Sequence, residues 1–246
     1  PIIGFSTGTA GVYEITKTVT LKSNPEDSAS YTYRIYVVDA NGDIDFVGEP
    51  SLSVNKVGFI ISGELSNVSG SVYAMVTDED VTADTLKAEG TEVEIFGDKF
   101  NHQFENENSG AYTVKFGVFN PNGKLTSEIY SVDVGTVNIS TLDEFHNLAV
   151  NGGDANKIYL LQNDLDFSDY AWTVGQSGFV GLLNGQGYTV KGITSTATKD
   201  GDANVFSSLK GGTIMNITFE DIRITNSGTK VGIIAEAYGG YLYNIK

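Results

Sequence analysis

The chain contains no cysteine and only two histidines among its 246 residues. Without thiols it can form no disulfide bond and perform no thiol chemistry. Zinc, haem and iron–sulfur sites depend on cysteine and histidine ligands, and two histidines are too few to favour any of them. The sequence therefore predicts a protein without a resident metal ion or cofactor.

Basic residues are also scarce, because 15 lysines and arginines stand against 31 acidic residues, for a net charge of −16. The imbalance is greatest in residues 1–135, which hold 8 basic and 20 acidic side chains. An acidic surface repels the phosphates of nucleic acids and of anionic membranes. We therefore expect no nucleic-acid partner.

Long apolar runs are missing as well, so no segment is predicted to insert into a membrane as a helix. No signal peptide precedes Pro1, and we expect a mature or trimmed form of an extracellular protein. Proline is rare, at 4 residues, whereas the chain has 29 glycines, 13 tyrosines and 13 phenylalanines. Together with abundant threonine, valine and isoleucine, this composition predicts an ordered, all-β protein.

Three stretches of the C-terminal half repeat one pattern: a short apolar strand, a glycine-containing turn, a second strand and a closing isoleucine. They are residues 178–193, 204–217 and 230–245, and they end in Ile193, Ile217 and Ile245. Such a period is typical of solenoids, whose coils bury their apolar faces only against neighbouring coils. We expect the three isoleucines to stack in one buried column.

Polar residues at the bends of these coils support the same architecture. Asn216 and Asn244 occupy equivalent places after the pairs Gly211-Gly212 and Gly239-Gly240. Stacked asparagines can hydrogen-bond one another along the axis, as in cross-β ladders. We expect such a ladder here.

A helix is predicted over residues 140–150, just before the first coil. Leu142, Phe145 and Leu148 recur at helical spacing, and Thr141 with Glu144 forms a capping box. A helix at this place covers the open end of a solenoid, whose free strand edges would otherwise invite aggregation. The chain stops at Lys246 without a second cap, so we expect a truncated solenoid whose parent continues.

A longer repeat occupies the front half, where residues 28–44 and 109–125 align at an offset of 81 residues. Both alternate apolar and polar residues and both then reach an Asn-Gly turn, at Asn41-Gly42 and at Asn122-Gly123, which predicts strands followed by tight turns. We interpret them as two immunoglobulin-like β-sandwich modules, residues 1–55 and 56–135, although the first is short for that fold. Residues 136–246 then form the helix-capped, right-handed parallel β-helix.

The C-terminal part is similar to a known class of repeats. Residues 158–167 (IYLLQNDLDF), Trp172 and residues 179–190 (FVGLLNGQGYTV) resemble the GLUG-type class of right-handed parallel β-helices. The matching positions are Asn163, Asp164, Asp166, Trp172, Phe179, Gly181, Asn184, Gly185, Gly187, Tyr188 and Ile193. This class occurs in large bacterial surface and secreted proteins, often behind immunoglobulin-like modules. The resemblance implies adhesion or display at a cell surface, and it brings no catalytic residues because the shared motif is structural.

Ligand-binding candidates are few. The aromatic side chains of Tyr170, Trp172 and Tyr188 offer apolar faces on which sugar rings can stack. Asp200 and Asp202 lie in the insertion between the first and second repeats, where solenoids commonly place ligand contacts.

Other polar clusters have simpler interpretations. Residues 39–45 (DANGDID) place oxygen ligands as a calcium loop would, but a tight turn also explains them. Asp164, Asp166 and Asp169 are expected to point outward from an early coil. His102, expected in a loop over residues 98–109, and His146, on the predicted helix, lack the partners of a catalytic triad.

The sequence thus predicts a non-enzymatic, extracellular bacterial adhesin-like protein whose sandwiches are spacers and whose solenoid binds a carbohydrate or a host protein. One alternative is a fragment of a polysaccharide lyase or glycoside hydrolase, which requires carboxylates gathered in one groove. The other is a component of a phage fibre or spike.

Overall fold

The computed structural model of the protein describes residues 11–37, 41–106, 110–197, 202–225 and 231–246. Strands make up 54% of it and helices 8%. The all-β prediction is therefore confirmed. Neither helix in these ranges is long and apolar enough to cross a membrane.

Residues 11–37 form an antiparallel ribbon of two strands, β1 (Gly11–Leu21) and β2 (Asn24–Val37). One face is polar, where Thr16 pairs with Thr32 through their hydroxyls at 2.8 Å. The other face carries apolar side chains, and Tyr31 and Tyr33 are 65% and 51% exposed there. Val19 on the same face is 59% exposed as well, so no sheet within the described ranges covers this face. A sandwich over residues 1–55 therefore remains a prediction.

The middle of the chain folds into two antiparallel sheets. We call residues 41–134 the two-sheet unit. Its elements are β3 (Ser51–Asn55), β4 (Gly58–Glu64), β5 (Ser71–Val76), α1 (Ala83–Glu89), β6 (Thr91–Val93), β7 (Ile95–Phe96), β8 (Lys99–Glu105), β9 (Tyr112–Phe119) and the first half of β10 (Tyr130–Ile139). One sheet has the order β3-β4-β8-β7, and the other has the order β6-β5-β9-β10.

The two sheets share one apolar core. On β9 the alternating residues Tyr112, Val114, Phe116 and Val118 are at most 6% exposed. They belong to the same buried cluster as Phe59 of the facing sheet. The alternation predicted for this strand is therefore confirmed, whereas the equivalent tyrosines of β2 are exposed because nothing described packs on them.

One local prediction for this unit is wrong, and one helix was missed. His102 lies in β8, where it pairs with Ile61, and not in a loop. Phe100 and Phe104, two residues before and two residues after His102, pack in the core. The polar residues between them make this strand difficult to recognise from the sequence. Helix α1 was not predicted; Thr82 caps it by accepting a hydrogen bond from the Thr85 amide at 3.2 Å.

The C-terminal half is built almost entirely from parallel strand pairs. We call residues 135–246 the parallel stack. After the second half of β10 come α2 (Leu142–Asn151), β11 (Lys157–Leu161), β12 (Leu165–Asp166), β13 (Gly178–Phe179), β14 (Leu182–Asn184), β15 (Thr189–Lys191), β16 (Thr194–Thr196), β17 (Ala203–Phe206), β18 (Ser208–Leu209), β19 (Thr213–Glu220), β20 (Arg223–Thr225), β21 (Val231–Ile234) and β22 (Tyr241–Ile245).

The strands of the parallel stack lie in layers, since the chain returns to the same place at intervals. Ile158 pairs with Leu182, Leu182 with Thr213, and Thr213 with Tyr241. Four further parallel columns run beside this one: β12-β15-β19, β13-β18, β16-β20 and β17-β21. Successive layers of the chain therefore sit on one another in register.

Strand β10 belongs to both parts. Its first half pairs antiparallel with β9, from Tyr130 opposite Phe116 to Val134 opposite Tyr112. Its second half pairs parallel with β11, ending with Ile139 opposite Leu161. The predicted boundary at residues 135/136 thus falls inside one strand, and the boundary at 55/56 falls inside the β3–β4 hairpin.

The sheet of β11, β14 and β19 is covered on both faces. Ile158 and Leu182 are buried in the core of the two-sheet unit. The next residues along each strand, Tyr159 and Leu183, are buried in the core of the parallel stack. Alternate side chains of one sheet therefore close two different cores, and we call this sheet the shared wall.

Helix α2 confirms the helix and the capping box predicted for this segment. Thr141 accepts a hydrogen bond from the Glu144 amide, and a Glu144 carboxylate oxygen accepts from the Thr141 amide at 2.9 Å. Hydrogen bonds from the amides of Ser140 and Thr141 to its carboxylate lower the pKa of Glu144. Phe145 and Leu148 are buried in the core of the parallel stack.

The predicted isoleucine column is correct only in part. Ile217 and Ile245 are direct partners in the β19–β22 pair. Ile193, however, precedes Thr194, which pairs with Arg223, so it lies level with Ile222. The prediction assumed that residues at the same position in the aligned repeats stack on one another in the structure. The turn after β14, however, differs from the turns in the later layers, so this assumption fails for Ile193.

The predicted asparagine ladder is confirmed. Asn244 donates from Nδ2 to Oδ1 of Asn216 at 2.9 Å, and Asn216 donates to Oδ1 of Asn184 at 3.2 Å. Asn216 and Asn244 both adopt left-handed backbone, with φ of 54° and 51°. Asparagine tolerates this conformation better than most residues, so the ladder and the bend require the same residue type.

Leu183 and Leu242 occupy equivalent positions, since both pair with Ile214 in neighbouring layers. Leu183 is fully buried, whereas Leu242 is 54% exposed. We predict that Leu183→Ala lowers the free energy of unfolding by about 2–5 kcal/mol, because it leaves a cavity in a closed core. Chemical denaturation measures the loss, and Leu242→Ala is the matched control, expected to cost less than about 1 kcal/mol. Equal losses for the two variants would contradict this packing.

Candidate functional site

One face of the parallel stack carries outward-pointing polar residues on three successive layers. Gly178 pairs with Ser208, and Leu209 forms a bridge with Ala237. Phe179 and Leu209 point into the core, where they are 0% and 2% exposed. Because side chains alternate along a strand, Ser208 and Lys210 point to the side opposite Leu209, where Ser208 is 5% exposed.

These outward residues line a groove with a volume of about 750 Å³, which we call the polar groove. Its polar lining side chains are Gln176, Asp202, Ser207, Ser208, Lys210, Glu236 and Tyr238. Tyr238 is 62% exposed. The groove thus combines carboxylates, an amine, hydroxyls, an amide and an aromatic ring.

The floor of the polar groove is fixed by Asn204, which is fully buried. Its Oδ1 accepts a hydrogen bond from the Gly175 amide at 2.9 Å. Its main-chain oxygen accepts from Trp172 Nε1 at 3.1 Å and from the Ser195 hydroxyl at 3.0 Å. Residues 171–177 form no strand. The hydrogen bonds to Asn204 therefore hold this segment in place of the backbone hydrogen bonds of a β-ladder.

Glycine is required at position 175. A Cβ there would lie 2.9 Å from the Ser207 amide nitrogen and 3.0 Å from Asn204 Oδ1. The Ser207 hydroxyl in turn donates to the Ser177 carbonyl at 2.6 Å. The rim and the floor of the polar groove are therefore tied across two layers.

Of the predicted ligand-binding residues, Asp202 lines the polar groove. Asp200 lies outside the described residues. Tyr188 is 36% exposed and is not among the lining residues. The structure therefore does not bring all the predicted residues together.

Tyr170 and Trp172 are brought together, but beside helix α2. The Phe167 ring lies 5.1 Å from the Tyr170 ring and 5.3 Å from the Trp172 ring. Tyr170 donates its hydroxyl proton to Asp143 Oδ1 at 2.6 Å, which raises the pKa of the phenol. Both aromatic side chains are only partly exposed, and they hold the cap against the first layer.

His146 belongs to the same cluster. Its Nε2 lies 2.6 Å from the Thr173 hydroxyl, and its ring is 4.9 Å from the Trp172 ring. Burial lowers the pKa of His146, against the opposing effect of Asp143. The residue is engaged in packing and hydrogen bonding, which explains its place on α2 without a catalytic role.

The early carboxylates point outward, as predicted, and they tie one layer to the next. Asp164 Oδ1 accepts from the Thr189 amide at 2.7 Å. Asp166 accepts from the Ser168 hydroxyl and pairs with Lys191 at 3.0 Å, and these contacts lower its pKa to about 2. Their hydrogen bonds give both residues a structural role.

The loop proposed above for calcium is only partly described, because Asp39 and Ala40 lie outside the described residues. Asp45 Oδ1 accepts from the Phe46 amide at 2.7 Å, as in a turn. Within the ranges that are described, no cluster of three or more acidic or histidine side chains is arranged to hold a metal ion.

A second depression, of about 740 Å³, lies on the two-sheet unit. Its charged lining residues are Glu92 and Glu94, and the rest of the lining is mostly aliphatic or glycine. It offers fewer kinds of hydrogen-bonding group than the polar groove. We therefore take the polar groove as the candidate functional site.

Sequence reasoning did not assign Lys210, Glu236 or Tyr238 to the site. The signal was present, because Ser208-Leu209-Lys210-Gly211-Gly212 aligns with Glu236-Ala237-Tyr238-Gly239-Gly240. The two segments lie in neighbouring layers, since Leu209 forms a bridge with Ala237. The offset of 28 residues between the two Gly-Gly corners, which Ile217 and Ile245 share, places Ser208, Lys210, Glu236 and Tyr238 together.

Comparisons of the chain with protein-family models, with curated proteins and with solved structures find no match.

We predict that Asn204→Ala lowers the free energy of unfolding by about 1–3 kcal/mol, because the buried Gly175 amide loses its acceptor. Chemical denaturation followed by circular dichroism measures the change. Asn147→Ala, at an exposed position of α2, is the control and should shift stability by less than about 0.5 kcal/mol. An Asn204→Ala variant as stable as the control would show that the floor does not depend on this side chain.

Proposed function

We propose that the chain is part of a non-enzymatic, extracellular bacterial adhesin-like protein that binds a surface glycan or a host protein. In this proposal the two-sheet unit is an immunoglobulin-like β-sandwich that acts as a spacer. The parallel stack is a right-handed parallel β-helix that presents the binding surface. The observation that carries the proposal is the polar groove, which lies at the β13-β18 pair of the parallel stack. The stack itself is joined to the spacer through β10.

Rigid attachment supports this role. Besides the shared wall, the Val54 amide donates to the Ala155 carbonyl at 2.9 Å, and Lys56 Nζ lies 4.7 Å from the centre of the Tyr243 ring. A spacer joined through a strand and a buried wall holds a binding face at a fixed angle. Less conformational entropy is then lost when the face binds a surface.

The roles of the carboxylates support binding over catalysis. Asp164 and Asp166 bind backbone or a lysine of the next layer. Glycoside hydrolases need two carboxyl groups about 5–9.5 Å apart across a scissile bond. The positions of Asp164 and Asp166 are therefore explained by their structural hydrogen bonds and ion pair, without a role in hydrolysis.

The second candidate function is that of a polysaccharide lyase or glycoside hydrolase fragment. It is favoured by one observation, namely that Asp202 and Glu236 line the same groove. Release of reducing ends or unsaturated sugars from a polysaccharide panel, abolished by Glu236→Gln, would establish this activity in place of simple binding.

The test of the proposed function is the adhesion of beads that carry the chain. We predict that they are retained on epithelial layers, mucin or immobilised matrix proteins at least severalfold above beads that carry the heat-unfolded chain. The folded surface, and not net charge, should cause this retention. Retention no higher than that of the unfolded control on every surface would contradict the proposal.

A further inference from the structure

We propose that the polar groove binds a neutral glycan segment, with a sugar ring stacked on Tyr238 and its hydroxyls bound by the polar side chains around it. This inference rests on the proposed binding function and names the ligand class of the same groove. It is carried by the chemistry, the charge and the dimensions of the lining.

The aromatic platform is Tyr238. Its side chain is 62% exposed although it stands at the wall of a concave site, directly before a Gly-Gly corner. Its backbone is fixed by a hydrogen bond from its amide to the Leu209 carbonyl at 2.8 Å. An exposed ring on a fixed backbone presents an apolar face at little entropic cost, and the C–H face of a sugar ring packs on such a face.

The polar side chains of the groove suit hydroxyl groups. The carboxylates of Asp202 and Glu236 accept hydrogen bonds, and the ammonium of Lys210 donates them. Ser208 and Gln176 can do both. A sugar hydroxyl is both donor and acceptor, so a polyol satisfies this mixed set better than a purely anionic or purely cationic ligand does.

Charge selects neutral over acidic sugars. The lining holds two carboxylates against one lysine, and the whole chain carries a net charge of −16. A uronic or sialic acid carboxylate would meet repulsion from Asp202, Glu236 and the surrounding surface. A neutral ring escapes this cost while it keeps the hydroxyl contacts.

Dimensions favour a glycan over a protein. The volume of about 750 Å³ lies within the range of roughly 300–1,000 Å³ that is typical of small-ligand clefts. Three layers at about 4.8 Å spacing span roughly 10 Å, which is the length of two linked sugar rings. A stable protein partner would need about 800 Å² of matching surface, well beyond the groove.

The experiment is a glycan array on the whole chain, with neutral glycans and their uronic or sialylated counterparts side by side. We expect signal on neutral glycans, lowered at least tenfold by Tyr238→Ala and by Glu236→Gln. Tyr241→Ala is the matched control, because Tyr241 is 54% exposed on the last layer but does not line the groove. It should bind as the unchanged chain does, and Trp172 fluorescence verifies that each variant is folded.

Four outcomes would overturn the inference. They are preference for acidic glycans, neutral-glycan binding that Tyr238→Ala leaves unchanged, equal loss in Tyr241→Ala, and no glycan bound at all. If no glycan binds while coated beads still adhere, the ligand is a protein and the proposed function survives. If the beads do not adhere, the proposed function fails whatever the array shows.

Discussion

The structure depends on one sheet that is buried on both faces, the shared wall. Its strands are short and almost continuously apolar, as in Ile158–Leu161 (IYLL). Such runs are typical of parallel strands that have no solvent face. Along each strand, alternate side chains pack in the core of the two-sheet unit and in the core of the parallel stack. The two parts therefore cannot separate without exposing Ile158 and Leu182.

Strand β10 makes the same connection through the backbone. It exchanges an antiparallel partner for a parallel one at Val134 and Gly135, so the ladder continues without an interruption. A flexible linker would have let the stack rotate about the spacer. Here the orientation of the layers, and with it the polar groove, is fixed by hydrogen bonds and by buried apolar area.

Local signals in the sequence predicted the fold well where one residue type serves one purpose. Thr141 and Glu144 predicted the capping box of α2, and Asn216 and Asn244 predicted the asparagine ladder. The prediction failed where the outcome depends on what packs against a strand. Tyr31 and Tyr112 occupy equivalent places in the front repeat. Among the residues that the structure describes, a facing sheet packs on Tyr112 and none packs on Tyr31, and the alternating pattern of the two strands does not distinguish them.

Of the residues that line the polar groove, only Asp202 was predicted as a ligand-binding residue. The other lining residues are distant in sequence and come together only when the layers of the chain stack. Lys210 and Tyr238 are 28 residues apart and meet only once the register of the layers is known. The isoleucines suggested a register that is wrong for Ile193 and correct for Ile217 and Ile245. Trp172, one of the three aromatic candidates in the sequence, packs against Phe145 and Phe167 beside α2.

The central claim is that the shared wall makes the two parts one cooperative unit. Trp172 is the only tryptophan, and its fluorescence reports the parallel stack alone, whereas circular dichroism reports all strands. Ile61→Val trims a fully buried side chain of the two-sheet unit and should cost about 0.5–1.5 kcal/mol. We predict that the denaturation midpoint of Trp172 falls by the same amount as the midpoint from circular dichroism. A Trp172 midpoint that stays unchanged while the other falls would contradict the claim.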